Sequence, residues 1–516
     1  MRNLPGFALA ALSLLGLAPA QAPATGVSVS EVLGRFGLTS GSVQQIPWTV
    51  DPGGVAQFTV ELDGTAHTVA VHRHELLVDD YQLLVDFGAG PQPVAIPAVD
   101  TFRGSVVGVA GSAAAVTAWD GRVHALVSIG DLTWGIEPVP LDVAGATAGS
   151  HVVYRSDAAI ASAVNCGGGV DVAGLSGPWI GLDGPSVPRE CEIAIDCDVA
   201  FFGRNNNDVA TTQNAAVAIL NGVDTIYQRD TGICYAVTAV VVRTVSVYTS
   251  GQNLGCSGSG LLQEMRTYWQ ANHASIPRDT AHLMSGLGTY QGTIGCAFNN
   301  VVCTWSGYGV SRPVSSNLTS NVRLVCHELG HNWSAPHCDG QSPCRIMCSN
   351  LSGCSGGASF SAASAQLITG FRDTRTCLGN CSSCATAASY GYFGQPCAGS
   401  AVQLSHSGTP VIGGSFTLQV SAARPFSTAA LLWGGQSAIA DLTSVGAPGC
   451  TLYVSNVFHV LSQSTDVFGR ATWNLQLPSS AGLCGVVVPQ QAVVIDPTAN
   501  ALQIVTTARG ILTFGI

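Results

Sequence analysis

The sequence predicts a multidomain protein with a β-rich N-terminal domain, an α/β middle domain and a C-terminal antiparallel β-sandwich. The 516-residue chain is too long for a single hydrophobic core. Its composition, with 47% hydrophobic and only 10% charged residues, favours a folded over a disordered chain. The pattern of apolar residues also changes twice along the chain, from strand-like to mixed and back to strand-like.

Residues 1–20 are predicted to be a signal peptide. Arg2 gives a positive start, Phe7 to Leu17 form an apolar core, and Ala18 to Ala20 resemble a small-residue cleavage site. The alternative is a membrane anchor, which fits less well because a spanning helix needs about 20 apolar residues. No later segment predicts a membrane span.

Charge and cysteine content narrow the class of protein. The net charge is −11 and the 20 cationic residues are all arginines, without a basic cluster, so we expect no nucleic-acid partner. The 18 cysteines can persist as disulfides only in an oxidising compartment, which agrees with export. Fourteen of them lie between Cys191 and Cys384, so this segment is expected to be the disulfide-rich one.

Residues 21–186 are predicted to form the β-rich domain. Short apolar strands alternate there with Gly, Asp and Pro turns, as in "FTVELDGTAHTVAVHRHELLVDD" and "GSVVGVAGSAAAVTAWDGRVHALV". The domain has one cysteine, Cys166, and ends in a Gly/Pro-rich linker, "GLSGPWIGLDGPSVP".

Strands and helices alternate over residues 187–384, which predicts an α/β arrangement. The predicted elements are a strand at "CEIAIDCDVAFF", a helix over Asp208 to Tyr227, a strand at "YAVTAVVVRTVSVY", a helix over Leu261 to Asn272 and a strand at "TAHLMSG". From 388 to 516, stretches such as "CTLYVSNVFHVL" alternate apolar and polar residues again, which favours a small antiparallel sandwich.

The stretch "HELGHNWSAPHC" carries the chemistry. Apolar residues recur every three to four positions around it and predict a buried helix, with Ser320 or Asn321 as its N-cap. On such a helix His327 and His331 lie one turn apart on the same face, so both imidazoles can reach a single metal ion. Glu328 lies beside them.

A catalytic zinc ion has three protein ligands and one open position. A downstream glutamate commonly completes an HExxH pair, but Glu328 is the last glutamate in the chain. The remaining solution is a later histidine. His337 follows the helix after Ser334 and Pro336, where a turn can return the chain to the metal. The alternative is a core helix that happens to contain histidines.

The motif of His327, Glu328, His331 and His337, followed by Met347 in "CRIMCSN", resembles that of the metzincin zinc peptidases of the reprolysin or adamalysin branch. The resemblance implies a metzincin-like α/β domain with a mixed sheet and an active-site helix. It also implies that Met347 forms the Met-turn beneath the metal, the alternative being ordinary packing. Residues upstream of 187, such as "TFRGSVVGVAGS", resemble a reprolysin-type propeptide.

These residues predict a secreted zinc endopeptidase made as a proenzyme, acting on protein or peptide substrates. Zinc lowers the pKa of a bound water to about 7 and polarises the scissile carbonyl. Glu328, which is not a ligand, then acts as general base and passes the proton to the leaving amine. The alternative is a catalytically silent member of the fold that serves in binding or surface attachment.

Cys166, in "VNCGGGVD", is a candidate latency ligand. A thiolate binds zinc well, and the flanking glycines allow close approach. The alternative is a disulfide, because 18 is an even number and a switch would leave another cysteine unpaired. The cysteines around Met347, which are Cys338, Cys344, Cys348 and Cys354, are expected in disulfides rather than in a second zinc site. The resemblance implies that Cys303 pairs with Cys377.

The resemblance also implies a structural calcium site built from Glu192, Asp279, Asn380 and the Cys377 carbonyl, whose oxygen ligands suit calcium. The alternative is that these acidic side chains lie at strand ends and are simply solvated, without a bound calcium ion. The sequence departs from the family pattern at Ser334, where the family has glycine. A turn that needs positive φ there costs about 1 kcal/mol more for serine than for glycine.

Overall fold

The computed structural model describes residues 26–515, except 52–53, 108, 110, 160–164, 174–187, 257, 289–291, 314, 351–356, 382–387, 413 and 478–485. The predicted signal peptide and almost all of the Gly/Pro linker lie outside the described residues, as does Cys354.

The N-terminal region forms a curled antiparallel sheet. Its elements are α1 (Val29–Phe36), β1 (Ser42–Gln45), β2 (Val55–Leu62), β3 (Thr65–Arg73), β4 (Leu77–Asp86), β5 (Pro91–Pro93), β6 (Asp100–Val106), β7 (Ala113–Trp119), β8 (Arg122–Ile129), β9 (Leu132–Pro138), β10 (Ser150–Arg155) and β11 (Asn165–Val170). Eight of these strands pair in the order β1-β10-β9-β8-β7-β6-β3-β2. In β2 buried residues alternate with exposed ones, as the sequence predicts for a strand with one buried face. The other three strands, β4, β5 and β11, pair elsewhere.

The middle region forms a mixed α/β layer. Its elements are β12 (Arg189–Cys197), α2 (Val199–Arg204), α3 (Val209–Thr231), β13 (Ile233–Arg243), α4 (Leu261–Asn272), β14 (Thr280–Met284), β15 (Thr293–Phe298), β16 (Tyr308–Ser311), α5 (Leu318–Asn332), α6 (Ala362–Asp373) and β17 (Gly379–Asn380). The sheet order is β11-β15-β16-β14-β12-β13-β4-β5, with β17 beside β12. Only the β4/β5, β15/β16 and β12/β17 pairs are antiparallel. The predicted mixed sheet is therefore confirmed.

The two predicted helices α3 and α4 are confirmed, but two predicted strands are too long. The strand predicted through Phe202 ends at Cys197, because the Asp198 side chain accepts a hydrogen bond from Phe201 N (2.7 Å) and caps α2. The strand predicted through Tyr248 ends at Arg243.

The sheet of the middle region is extended at both edges by N-terminal strands. β4 runs parallel to β13 with Arg243 opposite Asp86, and β11 runs parallel to β15. As a result all eleven residues of β13 are buried. The N-terminal and middle regions also share one hydrophobic core, in which Leu83 and Leu126 pack with Val217 and Leu220.

The C-terminal region consists of two antiparallel sheets. Its strands are β18 (Ser389–Phe393), β19 (Gln403–Ser407), β20 (Ser415–Ser421), β21 (Thr428–Asp441), β22 (Thr451–Ser464), β23 (Ala471–Gln476), β24 (Val487–Ile495) and β25 (Ile504–Thr513). They pair in the orders β18-β25-β24-β21-β22 and β19-β20-β23, and both sheets contribute side chains to one core. In the part of the chain that the structure describes, no helix is both long and apolar enough to cross a bilayer.

Candidate metal centre

The helix α5 carries the first two histidines and is buried along nearly its whole length. It begins one turn earlier than the sequence predicts. Its N-cap is Asn317, whose Oδ1 accepts a hydrogen bond from Ser320 N (3.0 Å), and the predicted caps Ser320 and Asn321 lie inside the helix. Asn, Ser and Asp have similar cap preferences, so residue type alone does not distinguish these positions.

The chain reverses directly after the helix. Ser334 has φ +81°, and its N–H donates to the carbonyl of His331 (3.0 Å). The next N–H, that of Ala335, donates to Gly330 O (2.8 Å). This turn gives Ser334 the positive φ that we expected at a position where the resembling family has glycine. It also brings His337 back over the helix.

Three imidazole rings meet at this turn. The ring centroids of His327 and His331, of His331 and His337, and of His327 and His337 are 4.9, 4.9 and 5.1 Å apart. The Nε2 atoms of His327 and His337 are 3.2 Å apart. Two nitrogens bound to one tetrahedral zinc ion at about 2.0–2.1 Å are about 3.3 Å apart, so this separation fits a shared zinc ion.

Backbone carbonyls orient the two helical rings. His327 Nδ1 lies 2.6 Å from Ile346 O, and His331 Nδ1 lies 2.8 Å from Ala335 O. Each Nδ1 therefore carries the proton and each Nε2 is left as a lone-pair donor, which is the usual outer-shell arrangement of metal-bound histidine. Burial lowers the pKa of His327 to about 3 and also lowers the pKa of His331 and His337, so all three rings are neutral at physiological pH.

Glu328 lies fully buried beside the three rings. Apart from the Cys166 thiol, no described residue is a hydrogen-bond partner of its carboxylate oxygens. Burial raises the pKa of this carboxyl to about 8. Gly295 on β15 leaves room for it, because a Cβ at that position would clash with the Glu328 carboxylate. A buried carboxyl next to three imidazoles is placed to exchange a proton with a molecule bound between them.

Cys166 completes the group. Its Sγ lies 3.5 Å from His331 Nε2, and one potential ligand atom from each of Cys166, His327, His331 and His337 lies within 4.8 Å of every other. The backbone of β11 is anchored on both sides, since Cys166 N donates to Ser349 O (2.8 Å) and the strand pairs with β15. Burial raises the pKa of the Cys166 thiol.

The glycines after Cys166 permit this close approach. A Cβ at Gly167 would clash with Cys256 Sγ, which is fixed in a disulfide with Cys296. Gly168 has φ +90°, a conformation that favours glycine. These glycines therefore allow β11, residues 165–170, to lie directly against the edge strand β15.

Met347 lies beneath α5 and is fully buried. Its Sδ packs against Gly330, where a Cβ would clash with it. Its carbonyl accepts a hydrogen bond from Cys338 N (3.1 Å), and the preceding residue, Ile346, holds the His327 ring. The loop of Met347 therefore supports both the helix and one of its histidines.

The described cysteines divide into disulfides and free thiols. Five bonds have both partners described, namely Cys234–Cys381, Cys256–Cys296, Cys303–Cys377, Cys338–Cys344 and Cys397–Cys450, and Cys348 is also disulfide-bonded. The pairing of Cys303 with Cys377 is confirmed. Cys166 is free, as are Cys191, Cys197 and Cys326, so Cys166 is not the sole unpaired cysteine.

The residues predicted for calcium are near one another, at one end of β12. Glu192 N donates to Asp279 Oδ2 (2.9 Å), and Asn380 pairs with Arg189 in the β17/β12 ladder. Burial raises the pKa of Asp279 to about 6, and the charge of Glu192 adds to the rise. The calcium site itself stays a prediction.

Sequence reasoning missed three contributors to the metal centre. These are the carbonyls of Ile346 and Ala335, which orient imidazoles, and Gly295, which makes space for Glu328. No sequence signal identifies the carbonyls, because every residue has one. The glycine could have been singled out, because a glycine inside a strand often marks a close approach.

Comparison with known proteins agrees with the geometry. The reprolysin family model, described as "Metallo-peptidase family M12", matches residues 187–370. The human "Disintegrin and metalloproteinase domain-containing protein 9" is 23% identical over 333 residues, which cover 60% of this chain and 39% of that protein. The mouse "Disintegrin and metalloproteinase domain-containing protein 19" is 25% identical over 280 residues, covering 51% and 28%. The chain thus spans less than half the length of either relative.

Proposed function

We propose, from the premise that residues 187–370 form a metallopeptidase domain of the reprolysin (M12) family, that this protein is a secreted zinc-dependent endopeptidase made as a proenzyme. Its substrates are proteins or peptides. The observation that carries the proposal is the convergence of three neutral imidazoles, His327, His331 and His337, beside the buried carboxyl of Glu328.

The three imidazoles would hold one zinc ion, since their Nε2 atoms are the free donors and their Nδ1 protons on the helix are already bound by carbonyls. When bound, zinc acts as a Lewis acid and lowers the pKa of water at the site. Glu328 would accept a proton from the attacking water and then donate it to the leaving amine. Apart from the Cys166 thiol it has no described hydrogen-bond partner, so its oxygens are available for this exchange once β11 has left.

We propose that Cys166 keeps the proenzyme inactive. Its sulfur lies 3.5 Å from His331 Nε2 and within 4.8 Å of a donor atom of each of the other two imidazoles, so it would serve as the fourth ligand of an ion held there. The strand β11 that carries it also covers the edge of β15, so an extended substrate cannot pair with that edge while β11 is in place. Both obstacles are removed together when β11 leaves.

The remaining assignments follow the same proposal. Residues 1–20 are the signal peptide, 21–186 a propeptide-like domain, 187–384 the catalytic domain with Met347 as its Met-turn, and 388–516 a β-sandwich whose partner is unknown. The disulfides agree with an oxidising, extracellular location. A structural calcium ion at Glu192, Asp279, Asn380 and the Cys377 carbonyl would stabilise the start of β12 without taking part in the chemistry.

The proposal is tested with the processed chain. We expect about one zinc ion per chain by elemental analysis, cleavage of an unfolded protein such as casein, loss of cleavage with a chelator, and recovery on adding zinc but not calcium. The matched control is His337→Ala, which keeps the helix but lacks the third ligand and should lose both zinc and activity. Zinc binding without cleavage by the processed chain would instead favour the catalytically silent binding protein.

A further inference from the structure

The contact between the N-terminal unit (residues 26–159) and the middle unit (residues 188–381) has the character of a protein core. Leu76, Tyr81 and Leu83 of the N-terminal unit belong to the same buried cluster as Val217 and Tyr227 of the middle unit. The helix α3 between them is buried on nearly all its faces. Its buried polar residues, among them Asn221 and Asp224, need hydrogen-bond partners inside the protein.

Strand β4 makes β13 an interior strand. The two pair along β13, and Val237 N donates to Leu76 O (2.8 Å). Without β4, β13 would be an edge strand that presents unpaired backbone groups and apolar side chains to water. Exposed apolar edges of this kind are aggregation sites, so the middle unit is not built to exist without this neighbour.

Buried charges also cross the contact. The Arg103 guanidinium of the N-terminal unit is almost fully buried and donates to the Asp224 carboxylate and the Asn221 carbonyl on α3. His74 Nε2 lies 3.0 Å from the same carboxylate. In return, the Asn221 side chain donates to Val116 O (2.9 Å). Separation of the units would deprive Asp224 of the Arg103 guanidinium and of the His74 ring.

A second buried charge cluster lies at the end of β13. The Arg243 guanidinium is fully buried and donates to Asp196 on β12 (2.7 Å) and to Asp86 on β4 (2.9 Å). Separation of the units would remove one of its two carboxylates.

By contrast, little holds the two units together covalently. Cys166 is the only cysteine between residues 21 and 186, and it is a free thiol. One cut between residues 171 and 188 would therefore leave two chains joined only by the contacts just described.

We infer that the N-terminal unit is a permanent subunit of the enzyme, which stays bound to the middle unit after the connection between residues 171 and 188 is cut. The partner that fits the surface of α3 and β13 is thus the protein's own N-terminal unit. Activation then requires displacement of strand β11 alone. The inference rests on the proposed function only for the occurrence of the cut, because the association itself needs no catalytic activity.

The test uses the full chain with residues 178–183 replaced by the recognition sequence of a site-specific protease. After cleavage, we expect both fragments to co-elute from a size-exclusion column at the mass of the whole chain, at micromolar and at nanomolar concentration. Amide hydrogens of β13 should keep their protection from exchange. Separate elution without denaturant, or loss of β13 protection, would overturn the inference. Neither readout depends on peptidase activity, so a failure of the proposed function is distinguishable.

Two variants test the origin of the affinity. Arg103→Met leaves Asp224 buried and uncompensated and should weaken the association of the cleaved fragments by about a hundredfold or more. The matched control is Asp131→Asn, which breaks an exposed ion pair with Arg345 across the same contact and should change affinity by less than about threefold. Should Arg103→Met not fold, Asn221→Ala is the milder probe of the buried contact and should weaken the association by about tenfold. Equal effects of buried and exposed variants would contradict the inference.

Discussion

Cys166 Sγ lies 3.5 Å from His331 Nε2, although 165 residues separate them in the chain. A sulfur and a nitrogen bound to one tetrahedral zinc ion, at about 2.3 and 2.0–2.1 Å, are about 3.5 Å apart. The separation thus fits two ligands of one zinc ion, and it is also within the range of a thiol–imidazole hydrogen bond. The N-terminal domain therefore places a sulfur beside the three imidazoles of the candidate metal centre.

Replacing this sulfur should release latency. In the uncleaved chain, Cys166→Ser should raise peptidase activity at least roughly tenfold, because a neutral hydroxyl is a much weaker zinc ligand than a thiolate. The measurement is the initial rate of cleavage of a fluorogenic peptide by intact chain, with its integrity checked by mass spectrometry.

Two further variants distinguish the effect of the sulfur from the effect of strand β11. Asn165→Ser changes an exposed side chain on the same strand and should leave the uncleaved chain latent. Gly167→Ala keeps the thiol but introduces a Cβ that clashes with the Cys256 disulfide, so it should also raise activity. If Cys166→Ser stays as inactive as wild type while Gly167→Ala is active, then coverage of the β15 edge and not the sulfur maintains latency.

Glu328→Gln should separate metal binding from catalysis. The amide has nearly the same shape and leaves the three imidazoles unchanged, but it cannot accept the proton. We expect the processed variant to keep its zinc and to lose about 10²–10⁴-fold in kcat/KM. Zinc content by elemental analysis and peptide cleavage are measured on the same sample. Retention of most of the activity would exclude Glu328 as the general base.

The sequence contained most of the metal centre because the motif is local. His327 and His331 follow from helical spacing, and His337 follows because no later glutamate exists to complete the ligand set. The helix start was predicted wrongly, since Asn317 and not Ser320 or Asn321 is the cap. Side-chain rotamer and backbone geometry decide among residues of equal cap preference, and neither is visible in a sequence.

The arrangement of the domains could not be predicted in the same way. The apolar run Leu83 to Val85 of β4 indicates a strand buried on both faces, but it does not reveal which strand lies beside it. The helix α3 gave no clear signal either, because its buried faces include polar residues such as Gln213, Asn221 and Asp224. A long-range pairing of this kind becomes visible only when the two domains are placed together.

Ser334 should be a site of strain that glycine relieves. Its φ of +81° is unfavourable for a residue with a Cβ, by about 1 kcal/mol relative to glycine. Ser334→Gly should therefore raise the midpoint of thermal unfolding of the unit that contains it, by about 2–4 °C. Ser334→Ala is the matched control, because alanine keeps the Cβ and should give no increase. Differential scanning calorimetry measures both, and a lower midpoint for the glycine variant would contradict the expectation.

Glu137 should make stability depend on pH. Its Oε1 accepts hydrogen bonds from Leu318 N (2.8 Å) and from the Tyr154 hydroxyl. A side-chain carboxyl of the N-terminal region therefore lies at the start of α5, the helix of the candidate metal centre. Burial raises the pKa of this carboxyl from 4.5 to about 7. The folded state therefore holds a proton that the unfolded state releases. The stabilising contribution is fully present below about pH 4.5 and is lost as pH rises through about 7.

Glu137→Gln should remove this dependence, because the amide oxygen accepts the same hydrogen bonds without becoming charged. Relative to wild type, the variant should gain about 2 kcal/mol of stability between about pH 5.5 and pH 8. The measurement is the urea midpoint of each chain at both pH values, and the control is Glu61→Gln, an exposed position on β2. Because other titrating groups are common to both chains, the difference between them isolates Glu137. A constant difference across this pH range would show that Glu137 does not take up a proton on folding.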